Sequence, residues 1–316
     1  MKIGIDIMGG DFAPLEAIQG IVAYLEDESL AQNVHFVLFG DQYKCAPYIT
    51  HLSNYTDRYT VVHCEQQVEM DEHPTKALKE KPNSSISVGF GYLQAKKIDA
   101  FASAGNTGAM MVGAMYSVKA IDGVVRPTIG SPVPKLNGTF NFLLDVGMNA
   151  DCKPEHLVQF ATMGSIYAKY VLGVDKPKVG LLNIGEEEGK GNILTQAAYP
   201  LLKQSRQIQF AGNVEGRDLF MDHCDVIVCE GFVGNTLLKM AESIHHIFQS
   251  GRNIHDEFLD RFDFETYGGT PILGVNAPVI IGHGISRATA FKNMYKTAEQ
   301  MVAAGVTEII RKEINQ

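Results

Sequence analysis

Residues able to do chemistry gather in one short stretch, "LLNIGEEEGKGN", from Leu181 to Asn192. An apolar run gives way to Glu186, Glu187 and Glu188, then to Lys190 between Gly189 and Gly191. Flanking glycines leave the lysine side chain uncrowded and the backbone free to move around it. The spacing is not that of a nucleotide-triphosphate loop, which needs four residues between its glycines and Ser or Thr after the lysine. Here Gly185 and Gly189 enclose three residues, Gly191 follows Lys190, and three carboxylates would repel a triphosphate. The other cations placed to bind an anion are Arg126, Lys135, Arg217, His283 and Arg287. His283 stands between Gly282 and Gly284, where packing explains a histidine poorly, so function is the favoured reading. No G-x-S-x-G elbow, H-E-x-x-H helix or G-x-G-x-x-G fingerprint is present. What remains is an inventory of backbone donors, amides and a few cations. Such a set can position an anion and stabilise a developing oxyanion without a protein nucleophile.

These residues need elements to hold them, and one pattern recurs. Short apolar, β-branched runs each end in a Gly/Asn/Asp-rich loop: Lys2–Asp6, Asp99–Ser103, Phe142–Val146, Lys178–Asn183, Ile208–Gly212, Asp225–Cys229 and Pro278–Ile281. Helix-like segments follow, from about Pro14, over Pro154–Tyr170 and from Asn192. Strands alternating with helices predict βαβ units and a mostly parallel sheet. The seven loops then share the carboxyl edge of the strands, where ligands of open α/β sheets bind beside helix N-termini. No internal repeat or linker is present, and residues 1–316 are expected to form one domain. Met240, Ile244, Ile247, Phe248, Ile254, Phe258, Leu259 and Phe262 recur at helical spacing, giving an amphipathic segment at about 240–262 with its bend at Gly251. That face suits the core, a dimer mate, a partner or a membrane surface.

Composition sets the outer bounds. The chain has 316 residues, 27 basic and 36 acidic, for a net charge of −9. General nucleic-acid binding is not expected of it. Cys45, Cys64, Cys152, Cys224 and Cys229 are odd in number, with no two-residue gap of a zinc or redox motif. They are expected to be buried structural thiols in a reducing cytoplasm, although His223 beside Cys224 keeps a metal reading open. The acid at Asp6 makes the N-terminus a first strand rather than a signal peptide. No stretch approaches the ~20 apolar residues of a membrane span.

"DIMGGDFAP", "KEKPNSSIS", "SAGNTGA", "LLDVGMNADCKPEHLVQFA", "GLLNIGEEEGKGN", "GNVEGRD" and "GFVGN" follow one another from Asp6 to Asn235. In that order they resemble the PlsX family of phosphate acyltransferases of bacterial phospholipid synthesis, and the resemblance runs from Ile3 to the final helix. It implies a three-layer α/β/α fold like that of phosphotransacetylase and of the isocitrate and isopropylmalate dehydrogenases, usually as a homodimer. It implies transfer of a fatty acyl group from acyl carrier protein to inorganic phosphate. The acyl phosphate product would pass to a membrane glycerol-3-phosphate acyltransferase. No cofactor and no metal are implied, and the location is cytoplasmic with peripheral membrane attachment.

Within that frame Lys190, His283, Asn106 and Asn183 are the candidate catalytic residues. Backbone N–H groups of Gly105–Gly108, with Lys190 and Arg126, are expected to bind phosphate, while Asn106, Asn183 or His283 donates to the carbonyl oxygen. Glu186 and Glu188 are expected to fix Lys190 or cap the following helix. Further substrate contacts are expected from Gly9, Gly10, Asp11, Ser103, Gly105, Thr107, Gly108, Asp145, Asn149, Glu186, Asn192, Asn213, Glu215 and Asn235. Glu230, Ile285 and Met148 depart from the family's usual residues. Acyl carrier protein is acidic, so Lys239, Arg252, Arg261, Lys292, Lys296, Arg311 and Lys312 are candidates to meet it.

Two other readings compete. A metal- and nicotinamide-dependent hydroxy-acid dehydrogenase of related fold would need an aspartate cluster, for which Asp222 and Asp225 are a poor start. A non-enzymatic scaffold binding acyl carrier protein would be indifferent to loss of Lys190.

Overall fold

The computed structural model describes residues 1–30 and 33–315. Its strands are β1 (Lys2–Asp6), β2 (His35–Gly40), β3 (Tyr59–His63), β4 (Ala100–Ser103), β5 (Thr128–Pro134), β6 (Phe140–Leu144), β7 (Lys178–Leu182), β8 (Gln209–Val214), β9 (Val226–Val228), β10 (Gly269–Leu273) and β11 (Val279–Gly282). The chain packs as two compact units. One joins Met1–Lys119 to Glu265–Ala303, and the other joins Ala120–Phe264 to Ala304–Gln316.

In the first unit the strand order is β3-β2-β1-β4-β11-β10, parallel except that β10 runs antiparallel to β11. Alternation along β2 sends Phe36 to one face and Phe39 to the other. Phe36 meets Tyr24 of the helix Leu15–Leu25 edge-on at 5.3 Å and Tyr295 of the helix Ala288–Ala303 at 5.4 Å. Phe39 meets Phe101 and Tyr92, and Phe101 meets Phe90, so the helix Ser85–Gln94 covers the opposite face. Helices on both faces make the three layers. Each of the fully buried rings, Tyr24, Tyr295, Phe36, Phe39, Phe90 and Phe101, contributes about 2 kcal/mol through the area it removes from water.

The second unit has the order β5-β6-β9-β7-β8, with β5 antiparallel to β6 and the rest parallel. The helix Pro154–Tyr170 has the bounds its sequence predicts, opened by proline at a position whose N–H has no helical partner. Tyr167 of this helix stacks on Phe142 of β6 at 4.3 Å. Both sheets are mostly parallel, as the βαβ pattern requires.

Three expectations need correction. Lys135, grouped with the anion binders, is only 2% exposed, and its ammonium donates to Asp222 and Asp225 at 2.9 Å each and to the Cys224 carbonyl at 2.9 Å. It is a buried internal cation, and the two aspartates that a metal reading would need are its partners. The bend in the amphipathic segment falls at Asn253, where φ is +53°, and not at Gly251, which keeps φ −81°. The helix Gly231–His245 continues through His246–Ser250, and a short helix follows at Glu257–Asp260. Phe258 and Phe262 turn inward to pack with each other and, through Phe262, with Phe220, whereas Met240, Ile247, Phe248 and Ile254 stay exposed. Among the described residues no helix is long and apolar enough to cross a membrane.

Candidate active site

In the first unit β1 and β4 end side by side, and their loops interlock around a buried carboxylate. Asp6 accepts a hydrogen bond from the Ser103 hydroxyl at 2.7 Å and from the Met8 N–H at 3.0 Å. Ser103 in turn accepts from the Gly105 N–H at 2.9 Å. Burial pushes the Asp6 carboxyl above its ordinary range, against the hydroxyl and N–H donors that pull it down. Gly9 lies so close that a Cβ there would sit 2.6 Å from both Asp6 Oδ2 and the Gly105 nitrogen. Asp6 escaped the sequence reading as a site residue. Its signal was an acid ending an apolar strand just before two glycines.

A cavity of about 280 Å³ opens beside this cluster, lined by Met8, Gly10, Asp11, Gln67, Met70 and Gly105 among others. The Gly10–Asp11 loop is fixed by the Asp11 N–H, which donates to the Gly284 carbonyl at 2.7 Å. His283, half-buried, is thereby next to Gly284 at the end of β11, and its carbonyl accepts from Ser286 N–H. Thr107 and Gly108 form the first turn of the helix Thr107–Gly113, Gly108 packing against Pro74. Asn106 does not present its amide to this cavity. Its Nδ2 donates to the carbonyls of Glu69, Met70 and Glu72 at 3.0–3.2 Å, and its Oδ1 accepts from Ala109 N–H. It clamps the loop that forms the cavity wall and caps the helix, a positioning role in place of the expected carbonyl donor.

The second unit's loops hold two further clusters. In one, Asn183 donates to the Lys190 carbonyl at 3.1 Å and to Asn213 Oδ1 at 3.0 Å, while its own oxygen accepts from Ile184 N–H. Asn213 donates to the Glu187 carbonyl at 2.9 Å. Asn183 and Asn213 thus fasten both ends of the glutamate loop, and Asn183 has no N–H left for a substrate carbonyl. Gly191 adopts φ +103°, a conformation that closes the loop and favours glycine. The acids do not orient Lys190: Glu186 pairs with Arg217 at 3.2 Å and Glu188 with Lys203 at 2.9 Å. Asn192, not a glutamate, caps the helix Ile193–Gln204, accepting from Thr195 N–H. Glu215 caps the turn Gly216–Phe220 and pairs with Arg217 at 3.0 Å. Arg217 is therefore held by two carboxylates, and in the first unit Arg287 pairs with Glu16 and lies over the Phe12 ring. Lys190 and Arg126 are exposed, and neither forms an ion pair among the described residues.

In the other cluster Asp145 is fully buried and accepts from the N–H groups of Ile129, Met148 and Asn149 and from the Asn149 amide. Asn149 also donates to the Pro127 carbonyl. Both side chains are consumed in shaping the loop after β6, so neither reaches a ligand as expected. Burial raises the Asp145 carboxyl despite these donors. Asp145→Ala strands three backbone N–H groups, and we expect it to destabilise the protein by about 3 kcal/mol in urea unfolding. Asn235 is exposed, beside Gly147.

The cysteines are chemically quiet. All five are free thiols, and burial pushes Cys45 up to about 11 and Cys64, Cys152 and Cys224 up to about 12. Raised values keep the thiol protonated and unreactive at neutral pH. Iodoacetamide at pH 7.5 is therefore expected to leave the folded protein active, with alkylation in mass spectra only after denaturation. Rapid modification of a native thiol with loss of activity would contradict this. Among the described residues no three His, Cys, Asp or Glu side chains are grouped to hold a metal.

Both units follow a plan shared with solved phosphotransacetylases. The EutD phosphotransacetylase from Staphylococcus aureus aligns over 96% of this chain and 94% of its own, with TM-score 0.65 at 16% identity. A branched-chain phosphotransacylase from Enterococcus faecalis aligns over 95% and 99%, with TM-score 0.62. That likeness defines the fold. The sequence itself matches the family described as "Fatty acid synthesis protein" over residues 1–309. It is 41% identical to the phosphate acyltransferase of Dictyoglomus turgidum, over 100% of this chain and 98% of the relative, and 38% identical to that of Bacillus subtilis with the same coverage. The chain belongs to this family, the PlsX-type phosphate acyltransferases.

Proposed function

We propose that this enzyme transfers a fatty acyl group from acyl carrier protein to inorganic phosphate. A phosphate oxygen attacks the thioester carbonyl carbon, the C–S bond breaks, and the proton of hydrogen phosphate ends on the departing thiol. The products are acyl phosphate and free carrier, and the acyl phosphate is the substrate for a membrane glycerol-3-phosphate acyltransferase. One observation supports this reading most strongly: Lys190 keeps an exposed ammonium, with no ion pair among the described residues, on a loop that Asn183 and Asn213 fasten. Every nearby carboxylate with an ion pair has it elsewhere, so the lysine is available to a phosphate dianion as a charge-assisted donor. Arg126 is another exposed cation of the same unit, also without an ion pair among the described residues. In the first unit the Gly105 N–H is taken by Ser103, so the Asn106–Gly108 N–H groups and His283 remain the candidates for anion or oxyanion contact. Thiols whose raised pKa keeps them protonated, half-buried Cys152 included, favour direct attack by phosphate over an acyl-cysteine intermediate.

Partner surfaces follow the same logic. Lys239 is paired with Glu242, Arg261 donates to the Lys135 and Thr139 carbonyls, and Lys292 pairs with Asp27. Arg252 and Lys312 of the second unit are therefore the stronger candidates there for an acidic carrier. The exposed apolar residues Met240, Ile247, Phe248 and Ile254 suit a homodimer contact or peripheral attachment to a membrane.

Release of carrier thiol tests the reading. With palmitoyl-acyl carrier protein the purified enzyme should liberate thiol, read with a chromogenic disulfide, only when phosphate is supplied. Equal release without phosphate would mean hydrolysis, and no release from folded enzyme would refute acyl transfer.

A further inference from the structure

We propose that the groove between the first turns of the helices Ile193–Gln204 and Gly231–His245 holds the acyl chain of the thioester donor, an inference that rests on the acyltransferase reading. The groove is open to solvent, with a volume of about 610 Å³, and Ala150, Cys152, Ile193, Leu194 and Phe232 line it. Ile193 is 90% exposed and Phe232 69%, unusual for large apolar side chains at two adjoining helix starts.

Charge decides which substrate belongs there. The charged residues lining the groove are Asp151 and Glu230, both acidic. They repel phosphate. The helix starts offer it little compensation, because their N–H groups are already capped from within. Asn192 Oδ1 accepts from Thr195 N–H at 2.9 Å, and the Glu230 carboxylate accepts from Phe232 N–H at 2.6 Å and Val233 N–H at 3.2 Å. An uncharged hydrocarbon chain meets none of these objections and covers Ile193 and Phe232. Neither residue stands out in the sequence, because an apolar residue in the first turn of a helix reads as core.

The chain contains no tryptophan, so Phe232→Trp creates a single fluorescent reporter in the groove. The probe is a series of non-transferable acyl-pantetheine thioethers from eight to sixteen carbons. Saturable blue shifts are expected, with affinity rising about fourfold per methylene until the groove is filled. Ile193→Trp, at a position so exposed that it bears no packing, gives the same readout should the first variant misfold. In parallel, Phe232→Ala should flatten the dependence of kcat/KM on chain length, its loss growing from eight- to sixteen-carbon donors. A silent reporter in an enzyme that turns over the matching thioesters would overturn the proposal. So would a uniform loss across chain lengths, or a shift that follows protein concentration instead of ligand, which would place a second copy over Phe232. Chain-length-dependent shifts in a protein that transfers no acyl group would uphold the groove and refute the acyltransferase reading.

Discussion

Lys190→Ala is expected to lower kcat/KM for phosphate about 100- to 1000-fold, the range seen when one preorganised electrostatic donor is removed from a reacting anion. Stability should change by less than about 0.5 kcal/mol, because the side chain is exposed and carries no ion pair among the described residues. The separation of the two effects makes the variant informative. Two of the three carboxylates of its loop, Glu186 and Glu188, are matched to Arg217 and Lys203 and not to Lys190. Lys190→Arg should recover part of the activity, since it restores charge but not the compact ammonium. Steady-state kinetics over a range of phosphate concentrations, beside a urea melt, checks both halves. Wild-type kinetics in Lys190→Ala would remove the lysine from the site.

The second large effect is expected at Gly9. Alanine there would bring its Cβ within 2.6 Å of Asp6 Oδ2 and of the Gly105 nitrogen, and 2.7 Å from Ser103 Oγ. Those atoms already bond one another, so none can retreat without breaking the Asp6–Ser103–Gly105 chain. Gly9→Ala should destabilise the first unit by about 3 kcal/mol and reduce turnover below about 1%. Gly91→Ala provides the contrast within the same unit. Nothing lies within 4 Å of its added Cβ, and it sits inside the helix Ser85–Gln94, so it should stabilise by about 0.5 kcal/mol. Denaturation midpoints for the pair decide the matter: equal shifts would mean that the close approach at Gly9 is not what holds these loops.

Much of the scaffold was legible because its signals are local. Lys2–Asp6 was read to the residue, since an apolar β-branched run stops at an acid, and Pro154–Tyr170 was read likewise from its N-terminal proline and helical period. β5 and β10 were passed over because Pro132, Pro134 and Pro271 argue against strands, and both turn out to be antiparallel to their neighbours. β2 and β3 lack the glycine-rich loop that singled out the other strands. The polar loops stand out in the sequence for the same reason that the contacts within them do not. Composition marks Asn106, Asn183, Asp145 and the glutamates as polar and concentrated, but which partner each takes is a tertiary fact. Glu186 meets Arg217 thirty-one residues away, and Asn106 meets the carbonyls of Glu69, Met70 and Glu72. Several polar residues in these loops shape backbone for a few that remain free.

The product itself tests the central claim most directly. Enzyme, palmitoyl-acyl carrier protein and phosphate would be incubated, quenched with hydroxylamine and examined by mass spectrometry for palmitoyl hydroxamate, with the untreated reaction followed by phosphorus NMR. We predict a new acyl phosphate resonance, absent without phosphate, and a matching excess of hydroxamate over the amount that the thioester donor itself gives in the phosphate-free control. Free palmitate alone, or a palmitoyl adduct on the enzyme that forms before any acyl phosphate, would contradict direct transfer to phosphate.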